Sequence, residues 1–309
     1  MNQRPKVTVI GSSNVDYVVR ASKYPKVGET IIGSEFTQFM GGKGANQAVA
    51  ASRLGADVTF ITAIGEDSQG SQIKDNLLKE NVNVEGIHKD TDESSGIAFI
   101  NVSDDTNKIT VIPGANYKLK PEHIEIQKTA ISSADIVLIQ MEIPIDTVIK
   151  AMEVACEFKI PIILNPAPAQ ILSEELLGKA TYLTPNVTEM QVITGLPLSN
   201  QQSIQDGFSL LFKQRVKNII LTRGEEGVLF GSHDDPLLRE VQSMKVHPVD
   251  TTGAGDTFNG GLAYSLACGN DLEAAIQFAN VAAALSVTKH GAQSGMPTLK
   301  EVNAFALKQ

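Results

Sequence analysis

The chain has 309 residues, of which 42% are hydrophobic and 20% charged, a composition that excludes disordered and fibrous classes and allows a substantial buried core. Its 26 basic and 35 acidic residues leave a formal net charge of −9 without a basic run, which argues against a nucleic-acid or anionic-membrane partner. No apolar run approaches the ~18 residues of a membrane span and no signal-peptide core opens the chain, so a soluble, cytoplasmic protein is expected.

In chain order, short Val- and Ile-rich runs at 7–10, 58–64, 136–139, 160–164, 182–184 and 218–222 alternate with amphipathic segments near 45–54, 68–81, 144–158, 188–194 and 204–215. Apolar strands alternating with helices predict right-handed crossovers and a largely parallel sheet covered on both faces. Three helices, at 256–268, 272–288 and 299–307, are expected to finish the chain. The regions 15–39 and 96–113 break the alternation. The first predicts strands at 17–19 and 30–32 around the turn signals Pro25 and Gly28, the second strands at 97–102 and 108–112 joined by a polar turn at 103–107. Together they predict a small separate sheet that is a lid over a cleft, an oligomer interface, or both. Cys156 and Cys268 lie in apolar helical patterns and are expected to be buried free thiols, with no zinc-ligand spacing.

Each main strand runs into small or polar residues: Gly11 to Asn14, Gly65 to Asp67, Gln140 to Glu142, Asn165 to Ala167, Pro185 and Asn186, and Arg223 and Gly224. In a parallel sheet these ends share the edge at which α/β proteins bind ligands.

The most informative stretch is Asp-Thr-Thr-Gly-Ala-Gly-Asp-Thr-Phe at 250–258. Gly253 and Gly255 let backbone N–H groups approach a ligand, and the helix that follows adds its own unpaired donors, so the turn suits an anion. Asp256 within it is either a helix N-cap or a base that takes a proton from an attacking hydroxyl. A second glycine cluster, Gly-Gly-Lys-Gly-Ala-Asn-Gln-Ala at 41–48, is neither a P-loop nor a dinucleotide fingerprint. It either allows close helix packing or presents Lys43 and Asn46 to a polyol. Asn14 and Asp16 bind hydroxyls or form an Asx-turn, and Glu142 binds a sugar hydroxyl or merely begins a helix. Asn186 and Glu189 have capping-box spacing, and could equally organise Mg2+ through water. The run from Thr222 to Gly227 lines a nucleotide site or is a hairpin turn. The five histidines are scattered, with no catalytic or metal-ligand neighbour.

With these two glycine motifs, and with Gly-Ser-Ser-Asn-Val-Asp at 11–16, Asn-Pro-Ala-Pro-Ala at 165–169, the 186–189 pair and Gly-Ala-Gln at 291–293, the chain resembles the ribokinase family of carbohydrate kinases along essentially its whole length. The resemblance implies a single three-layer α/β/α domain over 1–309, with a mostly parallel central sheet and a small β-sheet lid. It implies that Asn14, Asp16, Gly42, Lys43, Asn46 and Glu142 bind a pentose such as D-ribose, with Asp256 as base and Gly253, Ala254 and Gly255 as anion hole. Asn186, Thr222, Gly224, Gly227, Gly255 and Asn280 would hold ATP, and Glu189 would reach Mg2+ through water. A monovalent cation, usually K+, would sit among Asp250, Thr252, Ser286, Lys289, Gly291 and Gly295. Gly295 departs from the family pattern, which has a hydroxyl side chain there, and Asn280 replaces the histidine expected beside adenine. Related readings are a kinase of fructose, deoxyribose or a nucleoside, and a sugar-binding regulator without catalysis, for which the Asp256 carboxylate would have no use. Exposed edges on the small sheet imply a homodimer built through it.

Overall fold

Four successive apolar residues, Ile136 to Ile139, can be buried together only if both faces of their strand are covered. In the computed structural model, which describes residues 4–103 and 106–307, all four are buried. Val137 and Ile139 pack into one apolar layer, Ile136 and Leu138 into the other. The same division runs through the whole main sheet and sets its three-layer architecture.

The strands are β1 (Lys6–Ile10), β2 (Asn14–Arg20), β3 (Glu35–Gly41), β4 (Asp57–Gly65), β5 (Ile87–Asp90), β6 (Gly96–Ser103), β7 (Thr106–Ile112), β8 (Ile136–Ile139), β9 (Ile162–Leu164), β10 (Tyr182–Leu183), β11 (Asn218–Thr222), β12 (Val228–Ser232) and β13 (Arg239–Val241). The α-helices are α1 (Lys43–Arg53), α2 (Ser68–Lys79), α3 (Pro121–Ile126), α4 (Lys128–Ser132), α5 (Ile145–Glu157), α6 (Glu174–Lys179), α7 (Val187–Thr194), α8 (Gln201–Lys213), α9 (Ala254–Ala267), α10 (Leu272–Ser286), α11 (Ala292–Gly295) and α12 (Leu299–Ala306). Helices α3 to α8 cover one face of the main sheet and α1, α2, α9 and α10 the other. No helix among the described residues is long and apolar enough to cross a membrane.

The main sheet has the order β13-β12-β11-β10-β9-β8-β1-β4-β5, with the β11–β12 and β12–β13 pairs antiparallel and every other neighbouring pair parallel. β1 lies between β4 and β8, so the strand order reverses there, and the chain leaving β1 emerges at the switch point where a ligand crevice opens. It passes through Gly11, Ser12 and Ser13 into β2 of a second sheet, ordered β3-β2-β6-β7, and returns along β3 into Gly42 and α1. This return is tight. Gly42 has φ 86°, and a Cβ there would lie 2.7 Å from Ser13 Cα, while one at Gly44 would lie 2.7 Å from the Ser12 backbone nitrogen and oxygen. The glycines therefore let the head of α1 sit directly on the chain leaving β1.

Three expectations need correction. The strand expected at 30–32 does not form. β2 pairs with β3 from Asn14 opposite Gly41 to Arg20 opposite Glu35, so pairing is used up at Glu35, and Val27 and Ile32 are left exposed in the connection. Cys156 and Cys268 are exposed, not buried, at the ends of α5 and α9, where the apolar stripes have turned away. The expected strand at 160–164 begins only at Ile162. Residues 104 and 105 of the expected turn at 103–107 lie outside the described residues. Short elements escaped the periodicity altogether: α3, α4 and α6 have six residues or fewer, and β5 and β13 four or fewer.

Candidate active site

Helix α9 begins at Gly253, which takes a left-handed conformation (φ 78°, ψ 4°) and offers no side-chain cap. Of the N–H groups at this helix head, Ala254 donates to the Thr251 carbonyl at 3.2 Å and Thr257 to that of Gly253 at 2.8 Å. Those of Gly253, Gly255 and Asp256 have no backbone acceptor among the described residues. A Cβ on Gly255 would meet no atom within 4 Å, so packing does not require glycine there. Of the three residues expected to form an anion hole, Gly253 and Gly255 thus keep an N–H without a backbone acceptor among the described residues, while that of Ala254 is taken by Thr251.

Asp256 is not the N-cap. Its carboxylate, 8% exposed, turns away from its own helix to accept from Asn46 Nδ2 at 2.9 Å and from Gln47 Nε2 at 3.0 Å. Burial pushes its pKa up; Lys43 and the two amides oppose this, and Glu142 adds to it. Lys43 extends into the same space. Burial alone would depress its ammonium, but Asp256, Glu142 and Glu189 outweigh that and raise it. Lys43 thus feels three carboxylates, while a further one, Asp16, is pushed up to about 7 by burial and by the fields of Glu142 and Asp256.

The residues expected to bind a sugar converge where the chain passes between the sheets. Asn14 and Asp16 lie on β2 within its two-sided pairing, so the Asx-turn alternative does not hold. Asn14 Oδ1 accepts from Asn116 Nδ2 at 2.9 Å, which leaves its own amide nitrogen to donate outward. Glu142 Oε2 accepts from the Ser12 hydroxyl at 2.5 Å and the Lys43 N–H at 3.1 Å. It therefore caps α1 from across the cleft with one oxygen and keeps the other available. Gly42 and Asn46 belong to the same α1 head.

On the other flank, Asn186 and Glu189 form the capping box of α7, with Glu189 accepting from the Asn186 N–H at 2.8 Å and side chain at 3.0 Å. Burial nevertheless raises the Glu189 pKa, against the Asn186 bond and the field of Lys43, and Asp256 adds to the rise. Thr222 pairs with Asn186 and leads into the β11–β12 hairpin, whose turn contains Gly224 and Gly227, so the hairpin reading is correct as geometry. A Cβ on Gly227 would lie 2.2 Å from the Val241 carbonyl oxygen, and Asn280 donates to Gln242 O at 2.7 Å. The hairpin turn, the end of β13 and α10 thus meet.

The expected cation ligands also gather, mostly as backbone. The Asp250 carboxylate accepts from the N–H groups of Thr252 and Gly291, both at 2.9 Å; burial opposes them, but they hold it below the usual carboxylate range. The Ser286 hydroxyl donates to Ala283 O and keeps its lone pairs, whereas the Lys289 ammonium donates to Glu301 and has none, so Lys289 could offer a cation its carbonyl oxygen alone. A Cβ on Gly295 would lie 2.5 Å from the Ser286 oxygen, so the absence of a side chain at 295 is enforced by this crowding. Among the described residues no three His, Cys, Asp or Glu side chains are grouped to hold a metal directly.

Residues to which no role had been given complete the site. Gln293 Nε2 donates to Asn46 Oδ1 at 3.0 Å, Gln140 Nε2 to Gln47 Oε1 at 2.5 Å, and Gln47 Nε2 also to Asn165 Oδ1 at 3.0 Å. Arg53 reaches the Gln293 and Met296 carbonyls at 2.6 and 2.9 Å while pairing with Glu80, fixing the segment that carries Gln293. Polar residues at strand ends were the one available signal for Gln140 and Asn165.

The pfkB family carbohydrate kinase model matches residues 4–299. The chain belongs to this family. It is 43% identical to the ribokinase of Bacillus subtilis (strain 168) over 296 residues, 96% of this chain and 97% of that one. It is 36% identical to the deoxyribokinase of Salmonella typhi over 302 residues, 97% of this chain and 98% of that one. A solved ribokinase of Arabidopsis thaliana, complexed with ribose and ATP, matches with a TM-score of 0.92 at 30% identity, covering 98% of each chain.

Asp16 gives the ligand-free protein a testable pH dependence. Its pKa rises from 3.8 unfolded to about 7 folded, so the folded state binds more protons between those values. Its contribution to stability is complete below the unfolded value and is lost as the pH rises through about 7. Urea unfolding midpoints should therefore show Asp16→Asn gaining on the wild type across that interval, whereas parallel profiles would contradict the assignment.

Proposed function

We propose that the protein is an ATP-dependent ribokinase that transfers the γ-phosphoryl group to O5 of D-ribose. The observation that carries this reading is the buried Asp256 carboxylate at a helix head whose Gly253, Gly255 and Asp256 N–H groups have no backbone acceptor among the described residues. An anion site with its own base suits transfer of a phosphoryl group to a hydroxyl. The ribokinase relatives support ribose and ATP as substrates.

In this reading the Asn14 amide, Asp16 and the spare oxygen of Glu142 hold the sugar hydroxyls, with Gly42, Lys43 and Asn46 closing the α1 side. Asp256 takes the 5-hydroxyl proton, while the N–H groups at the head of α9 and the Lys43 ammonium stabilise the charge on the transferred group. Positioning and electrostatics supply most of the acceleration. Asn186, Thr222, Gly224, Gly227, Gly255 and Asn280 line the nucleotide side. Mg2+ bound with ATP would neutralise phosphate charge; Glu189, whose oxygens are already hydrogen-bonded, would hold it through water. A monovalent cation such as K+ fits the oxygen donors of Asp250, Thr252, Ser286, Lys289, Gly291 and Gly295, with Lys289 contributing its carbonyl only. The small sheet serves as a lid over a single domain and as the contact of a cytoplasmic homodimer. Phe36, Phe99, Ile109, Val111 and Ile112 expose apolar surface on this sheet in support of that contact.

A deoxyribose kinase is the second reading, favoured by the deoxyribokinase relative. A kinase assay over ribose, 2-deoxyribose, fructose and a nucleoside separates the two. Ribose should give the highest kcat/KM and a 5-phosphate product, and preference for 2-deoxyribose would overturn the ribose assignment. Asp256→Asn should lower kcat about a hundred- to ten-thousand-fold with ribose still bound, and near-normal turnover would remove the base. Potassium should activate relative to a bulky organic cation, and equal rates would contradict the cation site. Light scattering should give a dimer, and a monomer at all concentrations would contradict the lid contact.

A further inference from the structure

Consecutive residues of α1 hold the two oxygens of Asp256, but their environments differ. Asn46 stands at 6% exposure and its carboxamide bridges Asp256 and Gln293, whereas Gln47 is fully buried. Gln47 Nε2 donates to both Asp256 Oδ1 and Asn165 Oδ1, each at 3.0 Å, and its Oε1 accepts from Gln140. Asn165 is turned by its own donation to Thr184 O at 3.2 Å. The Gln47 carboxamide therefore has one permitted orientation. Reversing it would set its oxygen against the Asp256 carboxylate and its amino group against the Gln140 amino group.

Gln140 is itself fully buried, and its Oε1 has no hydrogen-bond partner among the described residues. A residue needed only for packing at this position would be apolar and would avoid that cost. Gly11 provides the room, because a Cβ there would lie 1.9 Å from Gln140 Oε1. What Gln140 supplies is the donor that fixes Gln47. We infer that Gln47, oriented by Gln140 and Asn165, is the positioning residue that aims the Asp256 carboxylate and keeps it in its proton-accepting form. The inference rests on the reading of Asp256 as base.

The need for such a residue follows from the surroundings of Asp256. Lys43 faces it from α1, Asp16 from β2, Glu142 from the loop after β8 and Glu189 from α7. Three carboxylates and burial favour protonation, against one ammonium and two amide donors. Asn46 borders the space assigned to the sugar, whereas Gln47 is fully buried and held on both sides of its carboxamide. Oδ1 is held by the fully buried Gln47, whereas Oδ2, which accepts from Asn46 at 2.9 Å, lies on the side assigned to the sugar and is the oxygen that meets the hydroxyl.

The test is carried out on the full chain with ribose and ATP. Gln47→Leu should lower kcat about ten- to a hundred-fold, the loss expected when a hydrogen bond to a charged group is removed. The acid limb of its kcat–pH profile should move up by about one pH unit, while ribose affinity measured calorimetrically stays within about threefold of the wild type. Gln140→Met, which removes no contact to Asp256, should shift the limb in the same direction by less. A wild-type profile in Gln47→Leu, or a lowered kcat with an unmoved limb, would reduce Gln47 to packing and overturn the inference. If Gln47→Leu does not fold, Gln140→Met decides: a shifted limb supports the inference and an unshifted one overturns it. Asp256→Asn is the comparator. An active Asp256→Asn enzyme defeats the base assignment itself, whereas an inactive one beside a wild-type-like Gln47→Leu defeats only the positioning role.

Discussion

A carboxylate withdrawn from water among three others is stable as an anion only where cations and donors are held around it, and Asp256 occupies such a position. The ammonium of Lys43 and the amides of Asn46 and Gln47 all come from α1, so the state of Asp256 depends on how that one helix is seated. Its seating depends in turn on the chain that leaves β1: the Ser12 carbonyl receives the Ala45 N–H at 2.8 Å, and Glu142 caps the helix head. A shift of α1 would move Lys43, Asn46 and Gln47, and with them every donor of Asp256 named above, together.

The same geometry makes the two sheets interdependent. Asn14 and Asp16 are carried by the small sheet, Glu142 and Asn165 by loops at the edge of the main one. The chain crosses between the sheets through Gly11 to Ser13 and again through Gly42. The polar residues that face the cleft therefore come from both sides of a narrow double crossing.

Much of this was legible in the sequence because the signals are local. The alternation of Val- and Ile-rich runs with amphipathic stretches gives the parallel sheet and its functional edge, and the 250–258 and 41–48 motifs give Asp256, Lys43 and Asn46. The roles of Gln47, Gln140 and Gln293 were not legible, because their hydrogen bonds join residues 93 to 247 positions apart. A buried glutamine has no periodicity to betray it. The misplaced strand at 30–32 failed for a related reason: Ile31 and Ile32 have strand propensity, but the register of β2 ends at Glu35 and leaves them no partner. The cysteines were misjudged because each lies at a helix end, where an apolar pattern no longer guarantees burial.

The central claim is that Asp256 and the head of α9 meet the reacting groups. A crystal structure with ribose and a non-hydrolysable ATP analogue tests this most directly. The account predicts the ribose 5-hydroxyl within hydrogen-bond reach of Asp256 Oδ2, and the terminal phosphate at the N–H groups of Gly253 and Gly255. A sugar bound with that hydroxyl turned away from Asp256, or a triphosphate that does not reach the α9 head, would contradict it.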